Sequence, residues 1–418
     1  MPDPLRIAIV GGSVGGCTLA LGLLKHPHIQ FDVFERSTFR ERGAGILIYP
    51  NGMNALRALG VDGDQMMKDA GAFRSAYQNA VVAYGEHKDK ILWETSDGVQ
   101  SVIRTNLLEQ MLQRLPAERL HEHKLLVSIE EGASLTLHFA DGSSYEADAV
   151  VGCDGIRSTI RGIILGPQHP AVPPVNTGFW DARAVVSSEK GLASFGSTVI
   201  KPESPRQGYR CGEGSIILFV SGPPGSMAAA IVGGKTGPGD EHITEWKTPI
   251  TREFLERKYA KWGNQEYLEG VFECLLTPGA GPGVLFQQWE SQPAPTYWRG
   301  RICMMGDAAH ATTPWMGQGF SMVAEDAAVL TGLLGNVRAK EEVEYAFEAY
   351  DKTRRGGRPT FVVENSRLIA EIACGSQGFD PATIASNRIV EKYRWVWDGD
   401  VEKEVSGAVD YFEALKRS

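Results

Sequence analysis

Residues 5–36 run LRIAIVGGSVGGCTLALGLLKHPHIQFDVFER, and this stretch decides the fold. The apolar segment Leu5–Val10 meets a glycine-rich turn, after which a helix-like segment and a second apolar segment follow. This order is typical of a βαβ unit in which a helix N-terminus holds a pyrophosphate and an acid holds a ribose. Gly11 would form the tight turn and Gly16 the close helix–strand contact, while Glu35 stands at about the separation expected of the ribose-binding acid.

Ser13 gives the same turn a second interpretation. It stands where the dinucleotide fingerprint has its second glycine, and residues 11–15 (GGSVG) also fit the G-x-S-x-G nucleophile elbow of serine hydrolases. An elbow serine usually follows several strands of the sheet, whereas Ser13 follows the first. The position favours a dinucleotide site, and hydrolysis is the alternative.

Composition excludes several classes of partner. A net charge of −9 argues against binding to nucleic acid or to an anionic membrane. No apolar run approaches the roughly 18 residues of a membrane-spanning helix, and the N-terminus enters a strand directly. We therefore expect a cytoplasmic protein without a signal peptide. The six cysteines lack metal-ligand and C-x-x-C spacing, so we expect free thiols and no metal site.

Periodicity and composition divide the chain into three parts. Residues 1–170 and 285–365 are predicted to form one discontinuous α/β domain. The strand-like segment near 75–100 lies within these bounds, but its strands could instead belong to the sheet of the middle part. Residues 171–284 are rich in Pro, Gly and Ser and contain β-type runs, which predicts a separate antiparallel sheet. Residues 366–418 are predicted to be helical.

Two further motifs follow predicted strands. The first is CDGIRS at residues 153–158, which contains Asp154 and Gly155 and is followed by Arg161. The second is GDAAH at residues 306–310, which precedes an apolar helix. Glycines at a helix N-terminus suit an anion or an electron-rich ring edge. The residues singled out in and after this second motif are Asp307, His310, Pro314, Gly317 and Gly319.

With three such motifs in this order, the chain resembles the class A flavoprotein monooxygenases, the FAD-dependent aromatic hydroxylases. The tail at residues 393–398 (YRWVWD) is similar to the endings of salicylate hydroxylase-like members. The resemblance implies a Rossmann-like FAD-binding domain of the glutathione-reductase type, an inserted, mainly antiparallel β-sheet substrate domain, and a helical C-terminal tail.

The resemblance also implies which residues contact FAD. The glycine fingerprint would bind the diphosphate, the Asp-Gly motif would touch FAD and the nicotinamide cofactor, and Asp307 would lie at the ribityl-pyrophosphate region. Residues 43–46 would run beside the flavin. The implied FAD contacts are Gly11, Ser13, Val14, Gly16, Glu35, Arg36, Gly45, Arg104, Asp154, Gly155, Asp307, Gly317 and Gly319.

The activity implied is a monooxygenase reaction. NADH or NADPH would reduce FAD, and O₂ would form a flavin C4a-hydroperoxide that attacks an electron-rich aromatic small molecule. Pro314 would lie over the flavin, and the turn at Gly317 would face its pyrimidine edge. His310 is the candidate base, with a structural role in packing or hydrogen bonding as the alternative. A carboxylated phenol would need an arginine. The candidates in the middle sheet are Arg183, Arg206 and Arg210, with Arg210 assigned to the site.

A single dinucleotide fingerprint fits NAD(P)H that docks without a domain of its own. The alternative function is a related FAD monooxygenase of natural-product biosynthesis, which would epoxidise or rearrange an indole, polyketide or terpenoid. We expect a monomer or a homodimer.

Overall fold

The structure is a computed structural model that describes residues 4–39, 45–96, 98–241, 243, 245–277 and 283–417. Gly43 and Ala44, from the segment expected beside the flavin, lie outside the described residues. The strands of the described chain are β1 (Leu5–Val10), β2 (Ile29–Phe34), β3 (Gly45–Ile48), β4 (Phe73–Ser75), β5 (Tyr77–Val82), β6 (Ile91–Thr95), β7 (Val99–Ile103), β8 (Leu120–His121), β9 (Leu126–Glu131), β10 (Leu135–Phe139), β11 (Ser144–Ala147), β12 (Ala149–Gly152), β13 (Val175–Ser187), β14 (Arg206–Gly212), β15 (Ser215–Ser221), β16 (Met227–Lys235), β17 (Lys247–Pro249), β18 (Val284–Glu290), β19 (Trp298–Arg299) and β20 (Ile302–Met304).

Helices fill the spaces between these strands and form the C-terminal part of the chain. The α-helices are α1 (Val14–Leu23), α2 (Pro50–Ala58), α3 (Gly63–Asp69), α4 (Arg104–Leu112), α5 (Thr159–Leu165), α6 (Ser188–Phe195), α7 (Arg252–Tyr259), α8 (Glu266–Leu276), α9 (Asp307–His310), α10 (Gly319–Leu334), α11 (Val343–Arg354), α12 (Arg358–Ala373), α13 (Pro381–Ser386), α14 (Ile389–Trp397) and α15 (Val401–Leu415), and short 3₁₀ turns lie at Ala117–Arg119, Ala260–Trp262, Pro314–Met316 and Lys340–Glu342.

A six-stranded sheet in the order β19-β20-β12-β1-β2-β8 forms the first layer. Strand β1 pairs in parallel with both β2 and β12, and β12 pairs in parallel with β20. Strands β1 and β12 are almost wholly buried because helices cover a parallel sheet on both faces. Since the carboxyl ends of parallel strands meet at one edge, the turns after β1, β12 and β20 lie side by side.

An eight-stranded sheet in the order β17-β18-β13-β16-β15-β14-β5-β6 forms the second layer. Its pairs are antiparallel except for β14 with β5. Side chains alternate between two cores along each strand. Tyr209 and Leu218 face a core that also contains Trp315, whereas Ile217 and Phe219 face a core formed with α6, α7 and α8.

The segment before α2 differs from the sequence prediction. Arg40 to Asn51 reads as irregular in the sequence, but Gly45–Ile48 forms β3 and pairs antiparallel with β7, while Pro50 begins α2. A partner strand distant in sequence stabilises β3, so local composition does not reveal it. Among the described residues, none of the helices combines the length and apolar character needed to cross a bilayer.

Candidate active site

The three sequence motifs meet at one edge of the six-stranded sheet. Backbone hydrogen bonds join the strand ends directly, since Cys153 N donates to Val10 O at 2.6 Å and Met305 N donates to Gly152 O at 2.9 Å. The glycine turn, the Asp-Gly motif and the Gly-Asp motif therefore surround one cleft. Ligands of open α/β sheets bind at this carboxyl edge.

The glycine turn brings backbone donors to the cleft. Gly11 adopts a φ of +109°, and a Cβ there would approach Cys153 O to 2.2 Å, so only glycine fits. Gly12 N donates to Glu35 Oε2 at 2.9 Å, which places the predicted ribose-binding acid against the turn. The Ser13 side chain does not cap α1, which leaves the first-turn N–H groups to an anion.

Ser13, Arg104 and Asp307 lie together in this cleft. Arg104 Nη2 donates to Ser13 Oγ at 2.6 Å. Burial raises the pKa of Asp307, and the nearby charges of Arg104 and His310 oppose that rise. An arginine partner cannot accept the proton of a hydroxyl, so this arrangement does not activate Ser13 as a nucleophile. It instead presents a guanidinium beside the uncapped helix, where a pyrophosphate would bind.

Asp154 of the Asp-Gly motif accepts hydrogen bonds from the backbone at the start of α5. Its carboxylate accepts hydrogen bonds from Thr159 N at 2.7 Å and Ile160 N at 3.2 Å, so it caps α5, with Ser158 Oγ as a further donor. Burial raises the pKa of Asp154, and these donors oppose the rise. Gly155 has a φ of +80°, and a Cβ there would meet no atom within 4 Å. The glycine therefore faces open space in the cleft.

Most of the Gly-Asp segment and of the helix that follows it is buried, and three predicted positions are exposed. Every residue from 302 to 331 is described, and the exposed ones are Asp307, Pro314 and Gly319. Asp307 is exposed at the surface, although the surrounding protein desolvates its carboxylate. Gly319 begins the 16-residue helix α10, and the Gln318 side chain does not cap it. Gly317, with a φ of +64°, turns the chain into that helix.

His310 does not reach the open side of the cleft, which favours the structural alternative over the role of a base. It is 5% exposed, and its Nε2 lies 2.7 Å from Asp326 Oδ2. Asp326 also accepts Gly306 N at 2.9 Å and Arg354 Nε at 2.7 Å. Burial alone would raise the pKa of Asp326, but His310 and Arg354 outweigh it and hold that pKa well below its usual range. The buried group holds the Gly-Asp turn in place.

Arg161 connects the second motif to the third, and the sequence motifs did not assign it a role. It is 1% exposed, and its guanidinium donates to Ala308 O at 3.0 Å, Ala309 O at 2.8 Å and Ala171 O at 2.7 Å. It therefore satisfies the carbonyls at the end of the short helix α9. Burial lowers the pKa of Arg161, although carbonyl oxygens solvate its charge. The pairing is not local, so spacing alone does not predict it.

A chain of hydrogen bonds runs from Trp315 to an arginine on the eight-stranded sheet. Trp315 Nε1 donates to Gln288 Oε1 at 2.6 Å, and Gln288 Nε2 donates to Asp181 Oδ2 at 3.1 Å. Arg183 Nε donates to Asp181 Oδ1 at 2.7 Å and its Nη2 to Oδ2 at 3.2 Å. Arg183 pairs across strands with Ile231, which packs against the core containing Trp315. Arg183 therefore lies on the Trp315 face of the sheet.

Arg210 lies on the opposite face and is not brought to this side. It pairs across strands with Ile217, which belongs to the core behind the sheet, whereas its neighbour Tyr209 faces the Trp315 side. Side chains alternate along a strand, so a shift of one residue decides the face.

The Arg183 side chain is 33% exposed, and its Nη1 pairs with no described residue.

The remaining predicted residues are spread around the glycine turn and between the sheets. Val14 is buried at the start of α1, and Arg36 is exposed beyond β2. Gly45 begins β3, where a Cβ would approach Met227 Cε of the eight-stranded sheet to 2.9 Å. Phe320 is buried in the core of the first layer.

The cleft offers a dinucleotide the groups that it requires. Two helix N-termini without a side-chain cap, those of α1 and α10, belong to its motifs, and Arg104 supplies a positive charge beside the first. Glu35 is an acceptor beside the first turn, and Asp307 is a second acceptor beside the third motif. The residues present therefore fit FAD. Among the described residues, no group of His, Cys, Asp and Glu is arranged to hold a metal ion.

Comparison with known proteins agrees with this cofactor. The family model for the FAD binding domain matches residues 286–365. The chain is 30% identical to 6-methylsalicylate 1-monooxygenase atA of Aspergillus terreus, over 98% of this chain and 92% of the relative. It is 29% identical to a salicylate hydroxylase of Pseudomonas putida, over 97% and 94%.

A solved structure agrees over almost the whole chain. A salicylate hydroxylase in complex with its substrate superposes with a TM-score of 0.81 at 26% identity, covering 98% of this chain and 99% of the other. Full-length similarity to these enzymes, together with a cleft that fits FAD, identifies the chain as a member of the class A FAD-dependent monooxygenases, the aromatic hydroxylases.

Proposed function

We propose that the protein hydroxylates a carboxylated phenol of the salicylate type, with NADH or NADPH as the electron donor. The observation that carries this substrate class is the position of Arg183 on the Trp315 face of the sheet, one hydrogen-bond chain away from the cleft loop. Two relatives are named for salicylate and 6-methylsalicylate, which supports the same class.

The overall reaction balances as substrate–H + O₂ + NAD(P)H + H⁺ → substrate–OH + H₂O + NAD(P)⁺. When bound, FAD supplies the two-electron chemistry and the activation of O₂. The protein has to hold the cofactor, orient the ring of the substrate and keep water away from it. The described side chains can be assigned to these three tasks.

The glycine turn, Arg104 and Asp307 would hold the cofactor. The uncapped N-terminus of α1 and the Arg104 guanidinium would bind the pyrophosphate, and Glu35 would accept from the ribose. Asp307 would accept from the ribityl hydroxyls. The N-terminus of α10 would face the flavin edge, where its dipole favours negative charge and contributes about 0.3–1 kcal/mol if exposed and up to about 2 kcal/mol if partly buried.

Arg183 would orient the substrate by its carboxylate. Asp181 holds the guanidinium through two hydrogen bonds, which fixes its plane and leaves Nη1 as a donor. The charge of Asp181 raises the pKa of Arg183 further, so the donor keeps its proton. Trp315 is hydrogen-bonded to Gln288, and Gln288 is hydrogen-bonded to Asp181. These bonds hold the Arg183 guanidinium in a defined position relative to the loop that carries Trp315.

Aromatic side chains would keep the reacting ring dry. Trp315 contacts Phe179 edge-to-face at 5.7 Å between ring centroids. Tyr49 lies against Gly317, since a Cβ there would approach its Cε2 to 2.9 Å, and burial raises the pKa of Tyr49 to about 12 despite a hydrogen bond from Gln78. Tyr49 therefore stays neutral at physiological pH and can serve as a hydrogen-bond donor.

A substrate panel tests the proposal. Purified protein loaded with FAD is mixed with NADH or NADPH and with salicylate, 6-methylsalicylate, phenol, an indole or no ligand. Both NAD(P)H oxidation and oxygenated product are measured, because uncoupled turnover consumes NAD(P)H without oxygenation. The proposal expects stoichiometric product with a carboxylated phenol and little with phenol. Product only from the indole, or only as an epoxide, would favour the natural-product alternative.

The domain assignment belongs to the same proposal. We assign residues 1–170 and 285–365 to the FAD side, 171–284 to the substrate side and 366–418 to the helical tail. The eight-stranded sheet also recruits β5, β6 and β18, and it provides the face on which Arg183 lies. None of the described cysteines forms a disulfide bond, which is consistent with the reducing compartment that we propose, the cytoplasm.

A further inference from the structure

One line of side chains crosses four strands of the eight-stranded sheet on the Trp315 face. Arg183 of β13 lies opposite Ile231 of β16. Ile231 lies opposite Leu218 of β15, and Leu218 lies opposite Tyr209 of β14. Residues directly opposite each other on neighbouring strands point to the same face of a sheet. These four residues therefore form a cross-strand row with a cation at one end and a phenol at the other.

The middle of the cross-strand row is apolar and borders open space. Ile231 is partly exposed, although it belongs to an interior strand of the sheet. A Cβ on Gly233, two residues along the same strand, would approach Trp315 Cη2 to 3.4 Å. In the other direction along β16, Met227 Cε would lie 2.9 Å from a Cβ on Gly45. The open surface above Ile231 is therefore bordered by Trp315 on one side and by β3 on the other.

Tyr209 brings a hydroxyl without a protein partner to the far end of the row. The residue is 8% exposed, and among the described residues its hydroxyl forms no hydrogen bond. Trp93 of β6 packs against its ring, with centroids 5.8 Å apart and planes inclined by 49°. Burial raises the pKa of Tyr209 well above its usual value, so the hydroxyl keeps its proton. A buried hydroxyl without a partner is unfavourable, and a polar group of a ligand would remove that penalty.

The length of the row limits which ligand can reach both ends. Arg183 and Tyr209 are three strand spacings apart, so their Cα atoms are separated by roughly 14 Å. Asp181 of the same strand holds the Arg183 guanidinium through two hydrogen bonds, which keeps the cation above β13. A benzoate whose carboxylate pairs with Arg183 would lie over Ile231 and Leu218 and point its opposite edge at Tyr209. A substituent on that edge is needed to bring a polar atom within hydrogen-bond distance of the hydroxyl.

We propose that Tyr209 is a specificity-determining residue that binds a hydroxyl or carbonyl group at the ring position opposite the carboxylate of the substrate. This inference rests on the proposed function, in which Arg183 binds the carboxylate. It narrows the substrate class to carboxylated phenols that carry a second polar group, as 2,4-dihydroxybenzoate does. Salicylate has only hydrogen at that position and leaves the hydroxyl of Tyr209 unpartnered. A site built to hydrogen-bond a hydroxyl group discriminates against analogues that lack it.

Ligand binding tests this assignment without turnover. FAD-loaded protein is titrated calorimetrically with 2,4-dihydroxybenzoate and with 4-methyl-2-hydroxybenzoate, in the absence of NADH and NADPH. The two compounds are similar in size and differ only in the group opposite the carboxylate, which is a hydroxyl in the first and a methyl in the second. The wild type should bind the dihydroxy compound roughly 3- to 10-fold more tightly, which is the effect of one hydrogen bond between neutral groups.

Tyr209→Phe should abolish this preference, while its Kd for the methyl compound, its FAD content and its melting temperature stay close to wild type. The ratio of the two Kd values separates a substrate contact from a structural role, because a disturbed pocket weakens both ligands alike. Tyr77→Phe is the matched control. Tyr77 is three residues before Ala80, the β5 residue opposite Tyr209, so it points to the other face, where its hydroxyl donates to Glu94 at 2.6 Å. This variant should keep the wild-type preference.

Two results would overturn the inference alone. The first is a preference for the dihydroxy compound that persists in Tyr209→Phe, and the second is a wild type that binds both compounds equally well. A wild type that binds neither compound, and does not bind salicylate, would refute the proposed function together with this inference. The two failures are therefore distinguishable in the same titrations.

Discussion

Arg104 Nη2 donates a hydrogen bond to Ser13 Oγ at 2.6 Å, across the 91 residues that separate them in sequence. The bond joins the start of α4 to the glycine turn and places a guanidinium over the N-terminus of α1. It also explains why serine is tolerated where the dinucleotide fingerprint has glycine. The hydroxyl fixes the arginine that neutralises the pyrophosphate, and it is not a nucleophile.

Arg104→Met should weaken FAD binding because it removes this charge. A charge-assisted hydrogen bond is worth about 1.5–3 kcal/mol, which corresponds to roughly a 10- to 150-fold higher Kd. Reconstitution of apoprotein followed by flavin fluorescence measures the change. Arg252→Met is the control, since Arg252 is a surface residue paired with Glu269. Equal FAD affinity in Arg104→Met and wild type would disprove the pyrophosphate role.

Asp307→Ala should lose FAD during purification, and Asp307→Asn should retain an intermediate amount. Asp307 is an exposed residue of the Gly-Asp motif, so we expect its removal to affect the cofactor more than the fold. The flavin-to-protein absorbance ratio after gel filtration reports the loss, and circular dichroism checks that the fold persists. A variant that keeps the full complement of flavin would refute the assignment of Asp307 to the ribityl region.

Arg183→Met should raise KM for a carboxylated phenol by at least about 10-fold while leaving the FAD content unchanged. The matched control is Arg210→Met, because Arg210 is on the same sheet but faces the core behind it. We expect KM in that variant to be near wild type. If the two variants were equally impaired, or if only Arg210→Met were, the substrate would not lie on the Trp315 face.

Arg354→Met should destabilise the protein strongly. Arg354 is fully buried and donates to Asp326, Glu325 and Glu404, so its removal takes a cationic partner from all three carboxylates. Loss of one partner of a buried ion pair costs about 3–5 kcal/mol. Thermal unfolding followed by circular dichroism would show a lower Tm. A Tm within a degree of wild type would mean that the cluster is not coupled to the fold.

Asp326 should make the stability of the protein sensitive to acid. Its folded pKa lies below the usual value, so its contribution is fully present above the unfolded pKa of about 4 and is lost as the pH falls further toward the folded pKa. The Tm difference between wild type and Asp326→Asn should be constant from pH 7 to about pH 5 and should shrink below pH 4. A difference that does not vary with pH would exclude this carboxylate as the source.

The glycine turn, the Asp-Gly motif and the Gly-Asp motif could be found in the sequence because each is short and follows a strand. Their meeting at one cleft also follows from the sequence, since the carboxyl ends of parallel strands share one edge. The sequence does not show on which face of the eight-stranded sheet Arg183 and Arg210 lie, because that depends on the register of strands that are far apart in sequence. The partners of Arg161 and His310 are likewise distant in sequence.

Oxygen-isotope labelling of the product provides the most direct test of the proposed reaction. FAD-loaded protein is incubated with NADH or NADPH and salicylate or 6-methylsalicylate under ¹⁸O₂, and the product is examined by mass spectrometry. We predict one ¹⁸O atom in the new hydroxyl group and none when the label is supplied as H₂¹⁸O. A product labelled from water, or consumption of NAD(P)H with hydrogen peroxide as the sole oxygen product for every phenol tested, would contradict monooxygenation of a phenolic acid.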